Sequence, residues 1–131
     1  MKTFLTTFVF AVSLISLSGC SGGDPLNGTR WTLDAANTEG QTITAEFFNG
    51  QIAGNSGVNS YSGSYKVGSS NSFSVGQLAG TLMAGPEPAM RAESAYLKLL
   101  GEAKSYQLAD GKLMLYDGKG NKSASFTAAG K

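Results

Sequence analysis

Residues 54–65 read Gly-Asn-Ser-Gly-Val-Asn-Ser-Tyr-Ser-Gly-Ser-Tyr, GNSGVNSYSGSY. Small polar residues dominate, as they would in a linker. Yet Tyr61, Gly63 and Tyr65 alternate with Ser62 and Ser64, which is the two-residue period of a strand. Gly54 and Gly57 suit a tight turn before that strand, and Asn59 suits a left-handed or Asx conformation. The stretch is therefore expected to be a structural corner. It would be a binding site only if its tyrosines face solvent.

Period two continues on both sides. Trp31 and Leu33 share one face of Arg30–Leu33; Ile43, Ala45 and Phe47 share one face of Thr42–Phe48. Asn49-Gly50 then marks a two-residue hairpin, because a type I′ turn needs positive φ at both central positions. Val67 extends the face of Tyr65, and Phe73 and Val75 mark a further short strand. Asp110-Gly111 marks a second hairpin, expected to set Leu108 opposite Leu113 and Tyr106 opposite Leu115. Asp117–Gly120 is a third turn, leading into Ala124 and Phe126. Short strands at this spacing predict a small antiparallel barrel or sandwich.

One segment departs from that rhythm. In AMRAESAYLKLLGEA, residues 89–103, Ala89, Ala92, Tyr96, Leu99, Leu100 and Ala103 recur at helical spacing, with Arg91, Ser94, Lys98 and Glu102 on the other side. Pro88 suits a first helical turn, and Glu87 there favours the helix dipole. The apolar stripe is expected to pack on the sheet rather than on a partner.

The first twenty residues form a different kind of sequence. Lys2 is followed by an apolar run from Phe4 to Leu17, about 14 residues, short for a bilayer core of roughly 30 Å. A basic start, a short apolar run and small residues at its end describe a secretory signal peptide over residues 1–19. Leu17-Ser18-Gly19-Cys20 resembles a bacterial lipobox, which implies cleavage before Cys20 and acylation of that residue. Residues 20–25 then form a lipidated cysteine and short tether, and residues 26–127 a single domain. Ser21 after the cysteine, rather than Asp, implies the periplasmic face of the outer membrane. The acyl chains on Cys20 make the membrane one partner.

Composition narrows the chemistry. The chain has ten Lys and Arg, of which Lys2 falls in the leader, against nine Asp and Glu. That balance does not predict a nucleic-acid surface. It has no histidine, and Cys20 is its one cysteine. Histidine-based triads, the common zinc sites and internal disulfides are thereby excluded. Asp34, Glu39, Asp110 and Asp117 sit in expected turns, where Asp favours local backbone bonding. No enzyme activity, metal or cofactor is expected.

Three segments together resemble the META domain family of HslJ-like bacterial envelope lipoproteins. Leu26-Asn27-Gly28-Thr29-Arg30-Trp31 is similar to the family's opening L-x-G-T-x-W. Gly54, Gly57, Val58, Asn59, Tyr61, Gly63 and Tyr65 are similar to its G-x-x-G-C-N-x-Y/F-x-G-x-Y. Thr81-Leu82-Met83-Ala84-Gly85-Pro86, followed by Met90, Glu93 and Tyr96, is similar to its T-x-M-A-C-P-x-x-x-M and the helix after it. The family's two usual cysteines fall at Val58 and Gly85. The resemblance implies that these positions lie close, at Cα separations of roughly 4.4–6.8 Å. It also implies a small antiparallel β-barrel-like fold with one helix, compared with cracked-barrel secretin pilot proteins, and no established catalytic residues. It implies an envelope role tied to stress, antibiotic resistance, motility or secretion. A binding or chaperone-like module for an envelope protein or peptide is the leading expectation. Trp31, Tyr61, Tyr65 and Tyr96 would line its groove unless they are core, which is the favoured reading. A purely structural lipoprotein and a secretion pilot-like factor are the alternatives.

Overall fold

The computed structural model describes residues 23–34 and 39–129. The leader, the lipobox and Cys20 lie outside the described residues. Strand β1 (Thr29–Leu33) pairs antiparallel with β2 (Thr44–Phe48), β2 with β3 (Gln51–Asn55), and β3 with β4 (Ser60–Gly68). On its other edge β4 takes β5 (Ser72–Val75) and the two-residue β6 (Ala79–Gly80). Helix α1 (Glu87–Glu102) follows, then β7 (Ala103–Ala109), β8 (Lys112–Asp117) and β9 (Lys122–Ala128). Since β9 pairs with β1 and β5 meets β7, eight strands close in the order β1-β2-β3-β4-β5-β7-β8-β9, with β6 as an extra strand. The closure is thinnest between β5 and β7, where one residue pair, Ser72 opposite Ser105, joins them. This is the mainly β, one-helix cracked barrel expected from the sequence.

The hairpins follow their turn chemistry. Asn49 and Gly50 have φ of 52° and 79°, and Asp110 and Gly111 have 53° and 74°, as type I′ turns require. The second turn sets Leu108 opposite Leu113 and Tyr106 opposite Leu115, the expected register. Alternation fills the barrel: Trp31, Leu33, Ala45, Phe47, Ile52, Tyr65, Phe73, Leu113, Leu115, Ala124 and Phe126 all point into the core. Phe47 meets Tyr65 edge-on at 4.8 Å between centroids, an aromatic contact worth about 0.5–1.5 kcal/mol beyond its buried area.

Two local readings are corrected. Ala103 is not helical: its φ of −67° and ψ of 137° are extended, and it opens β7 directly after α1. It is buried from the strand, so it supplied an apolar position that also fits the helical spacing. Asn59 has no positive φ; the left-handed position of that corner is Gly57, at φ 129°.

Asp24 is bound to the domain. Its Oδ1 accepts the Leu26 N–H at 2.8 Å, its carbonyl accepts the Asn27 N–H, and its Oδ2 accepts the Tyr65 hydroxyl.

Candidate functional site

The corner between β3 and β4 is assembled from residues distant in sequence. Asn55 Oδ1 accepts the Gly57 N–H at 2.8 Å, forming the Asx turn that the sequence suggested for Asn59. A Cβ at Gly57 would lie 3.3 Å from the Ala89 carbonyl oxygen of α1, so the turn and the helix approach backbone to backbone. Into this corner α1 projects Glu93, which is only 7% exposed. Glu93 Oε1 accepts the Asn59 N–H at 2.7 Å, the Ser56 hydroxyl at 2.8 Å and the Val58 N–H at 3.1 Å. Its Oε2 accepts Asn59 Nδ2 at 2.8 Å. Burial pushes the carboxyl pKa up, but the bonds from Asn59, Ser56 and Val58 together outweigh it and hold the group below the ordinary carboxylate value.

Asn59 passes the connection onward. Its Oδ1 accepts the Thr81 hydroxyl and the Met83 N–H, both at 2.7 Å, and its Nδ2 also donates to the Met83 carbonyl at 3.1 Å. With the Glu93 bond, both amide protons and both oxygen lone pairs are used. One asparagine thus joins β4, α1 and the Thr81–Met83 segment. Beside it the Tyr61 hydroxyl donates to the Thr44 carbonyl at 2.7 Å and meets the Tyr96 hydroxyl at 2.5 Å. Burial raises the pKa of both tyrosines, so they stay neutral donors.

Against this scaffold lies an open groove of about 460 Å³ between β6, the Thr81–Ala84 segment and α1. Leu78, Leu82, Met83, Met90 and Leu97 supply its apolar walls, and Asn59 and Glu93 lie at its base. Leu82 is 98% exposed and Met83 58%. The edge of β6 facing away from β4 pairs with no strand among the described residues.

The structure gathers Gly57, Val58, Asn59, Tyr61, Met83, Gly85 and Glu93 at this one corner. A Cβ built on Gly85 would sit 3.5 Å from Val58 Cβ, a disulfide-like separation, and 2.8 Å from Val58 Cγ2. The valine methyls occupy the space in which two thiols would join. Pro86 precedes α1 as its N-cap, and its carbonyl accepts the Met90 N–H. Gly63 lies beneath Leu78, where a Cβ would come within 2.7 Å of Leu78 Cδ2. Trp31 and Tyr65 stand elsewhere in the barrel wall and are buried, so neither opens into the groove. Tyr61 reaches the groove at its lining while remaining core.

Sequence reasoning did not anticipate the work done by Ser56, Thr81 and the buried carboxylate of Glu93. For Glu93 a signal exists: it lies four residues after Ala89 and three before Tyr96, within the buried stripe of α1. Among the described residues no group of three or more His, Cys, Asp and Glu side chains is placed to hold a metal ion.

The sequence model for the META domain matches residues 24–130. No curated protein matches the chain. Among solved structures, a protein from Burkholderia xenovorans, determined by NMR, superposes with a TM-score of 0.67 at 23% identity, covering 92% of this chain and 100% of its own. A DUF4847 family protein from Bacteroides vulgatus superposes with a TM-score of 0.58 at 10% identity, covering 78% of this chain and 93% of its own. At these identities the likeness is one of fold.

Proposed function

Since the chain belongs to the META domain family, we propose that it is a non-enzymatic envelope lipoprotein that holds extended, apolar segments of other envelope proteins. The membership fits a non-catalytic role in the bacterial envelope. The lipobox supports an anchor at Cys20 on the periplasmic face of the outer membrane. The observation that carries the binding role is Leu82, 98% exposed at the rim of a Leu- and Met-lined groove beside an unpaired strand edge. An extended peptide can add its backbone to such an edge and place alternate side chains in the groove. Methionines adapt to varied partners, as a chaperone-like site requires. A ligand inside the barrel fits poorly, because Phe47, Phe73, Phe126 and Leu115 already fill it.

The test is fluorescence anisotropy with a labelled octapeptide alternating leucine and serine, titrated with the mature protein. Binding is expected, and Leu82→Asp should weaken it at least tenfold, or about 1.4 kcal/mol, without lowering stability. Equal binding by the variant, or no binding by the wild-type protein, refutes the groove as a peptide site and favours a purely structural lipoprotein.

A further inference from the structure

The groove lies at one end of β4, and a different set of residues gathers at the other. Four residue steps along β4, from Tyr61 to Tyr65, separate the two sets, about 13 Å of strand. At the far end the Tyr65 hydroxyl holds Asp24, and the Tyr65 N–H bonds the Gly50 carbonyl of the Asn49–Gly50 hairpin. Asn27 ties the same hairpin to the start of the domain, its Oδ1 accepting the Asn49 N–H at 2.8 Å. Phe48, next to that turn, is 62% exposed. Lys66 is exposed, lines the same surface hollow as Gly23 and Asp24, and joins no ion pair among the described residues. Asp24, the acidic residue of that hollow, is held by the Leu26 N–H and the Tyr65 hydroxyl.

Three residues, Ser21 to Gly23, lie between Cys20 and Asp24, so a fully extended chain spans at most roughly 14 Å from the anchor to the residue fixed on the barrel. We propose that this end of the barrel lies against the bilayer, with Phe48 entering the boundary between headgroups and acyl chains and Lys66 at headgroup level. The inference rests on the lipid anchor at Cys20. An aromatic ring suits that boundary, and a lysine there meets anionic headgroups. The orientation turns Leu82 and the peptide groove away from the membrane, toward proteins in transit.

The chain's one cysteine makes the test direct, because an acylated Cys20 cannot take a thiol label. Phe48→Cys and Leu82→Cys, both at exposed positions, are labelled with nitrobenzoxadiazole on the mature lipidated protein. The proteins are then reconstituted in vesicles of phosphatidylethanolamine and phosphatidylglycerol. Emission at position 48 should shift to the blue and be quenched by nitroxide-bearing lipids, while position 82 stays open to aqueous iodide. Vesicle-bound protein whose label at 48 remains as iodide-accessible as that at 82 overturns the orientation and leaves the anchor standing. Two labels per chain, showing a free Cys20 thiol, overturn the anchor and the orientation with it.

Discussion

Glu93 faces four hydrogen-bond donors with one carboxylate, and three of them converge on a single oxygen. Its neighbours can be satisfied only by an acceptor, which explains why a charged side chain stands in the buried stripe of α1. Glu93→Gln turns one acceptor into a donor that faces Asn59 Nδ2 or the backbone N–H groups. The expected loss is roughly 3 kcal/mol in urea unfolding. The pH dependence has a definite sign. The folded pKa is lowered, so the stabilisation is fully present above the unfolded carboxylate value of about 4.3 and is lost as pH falls through the folded value. The advantage of the wild-type protein over Glu93→Gln should therefore be constant above about pH 5 and shrink below it. A difference that grows on acidification would contradict this account. Tyr61 and Tyr65 of GNSGVNSYSGSY are buried in the core, while Ser56, Asn59 and Tyr61 also line the groove, so the stretch is a corner that supplies part of the groove's wall.

The corner joins elements that share no local signal. The turn between β3 and β4 and the start of α1 touch through Val58 and Gly85, which lie on opposite sides of β4, β5 and β6 in the chain. The double variant Val58→Cys/Gly85→Cys should close a disulfide on oxidation, since the Cβ separation at these positions is already that of a disulfide. A closed loop of this size should stabilise the domain by about 3 kcal/mol, read as a loss of that stability on adding reductant. Free thiols that persist under oxidising conditions would show that the turn and the helix start do not hold this distance. The strands and the helix were legible because their signals are local: a period, a turn dipeptide or a proline at a helix start. The passage from α1 into β7 was not, because buried Ala103 satisfies both periods. The two-residue β6 was missed for the opposite reason, being too short to show any period.

For the whole molecule, the barrel is held unequally around its circumference. Strand β8 pairs along its length with β7 and β9 and buries Leu113 and Leu115 completely. Between β5 and β7 only one residue pair closes the sheet, and the Gly76–Gly80 segment beyond it is largely exposed. Native-state hydrogen exchange should therefore find the slowest amides in β8 and the fastest strand amides in β5 and β6, since weakly paired regions open at low free energy. Equal protection of β5 and β8 would mean that the seam is no weaker than the rest. The amino-acid sequence by itself determined the eight barrel strands, the two I′ hairpins and the register of the second, the helix and the family pattern. Those features depend on side-chain alternation and backbone preferences within a few residues. Only the tertiary structure decided that Glu93 is a buried acceptor, that Val58 fills the space beside Gly85, that the closure thins at β5 and β7, and that Leu82 is left bare. Each of these depends on which distant segments meet, and that is set by the packing of the closed barrel as a whole rather than by any local stretch.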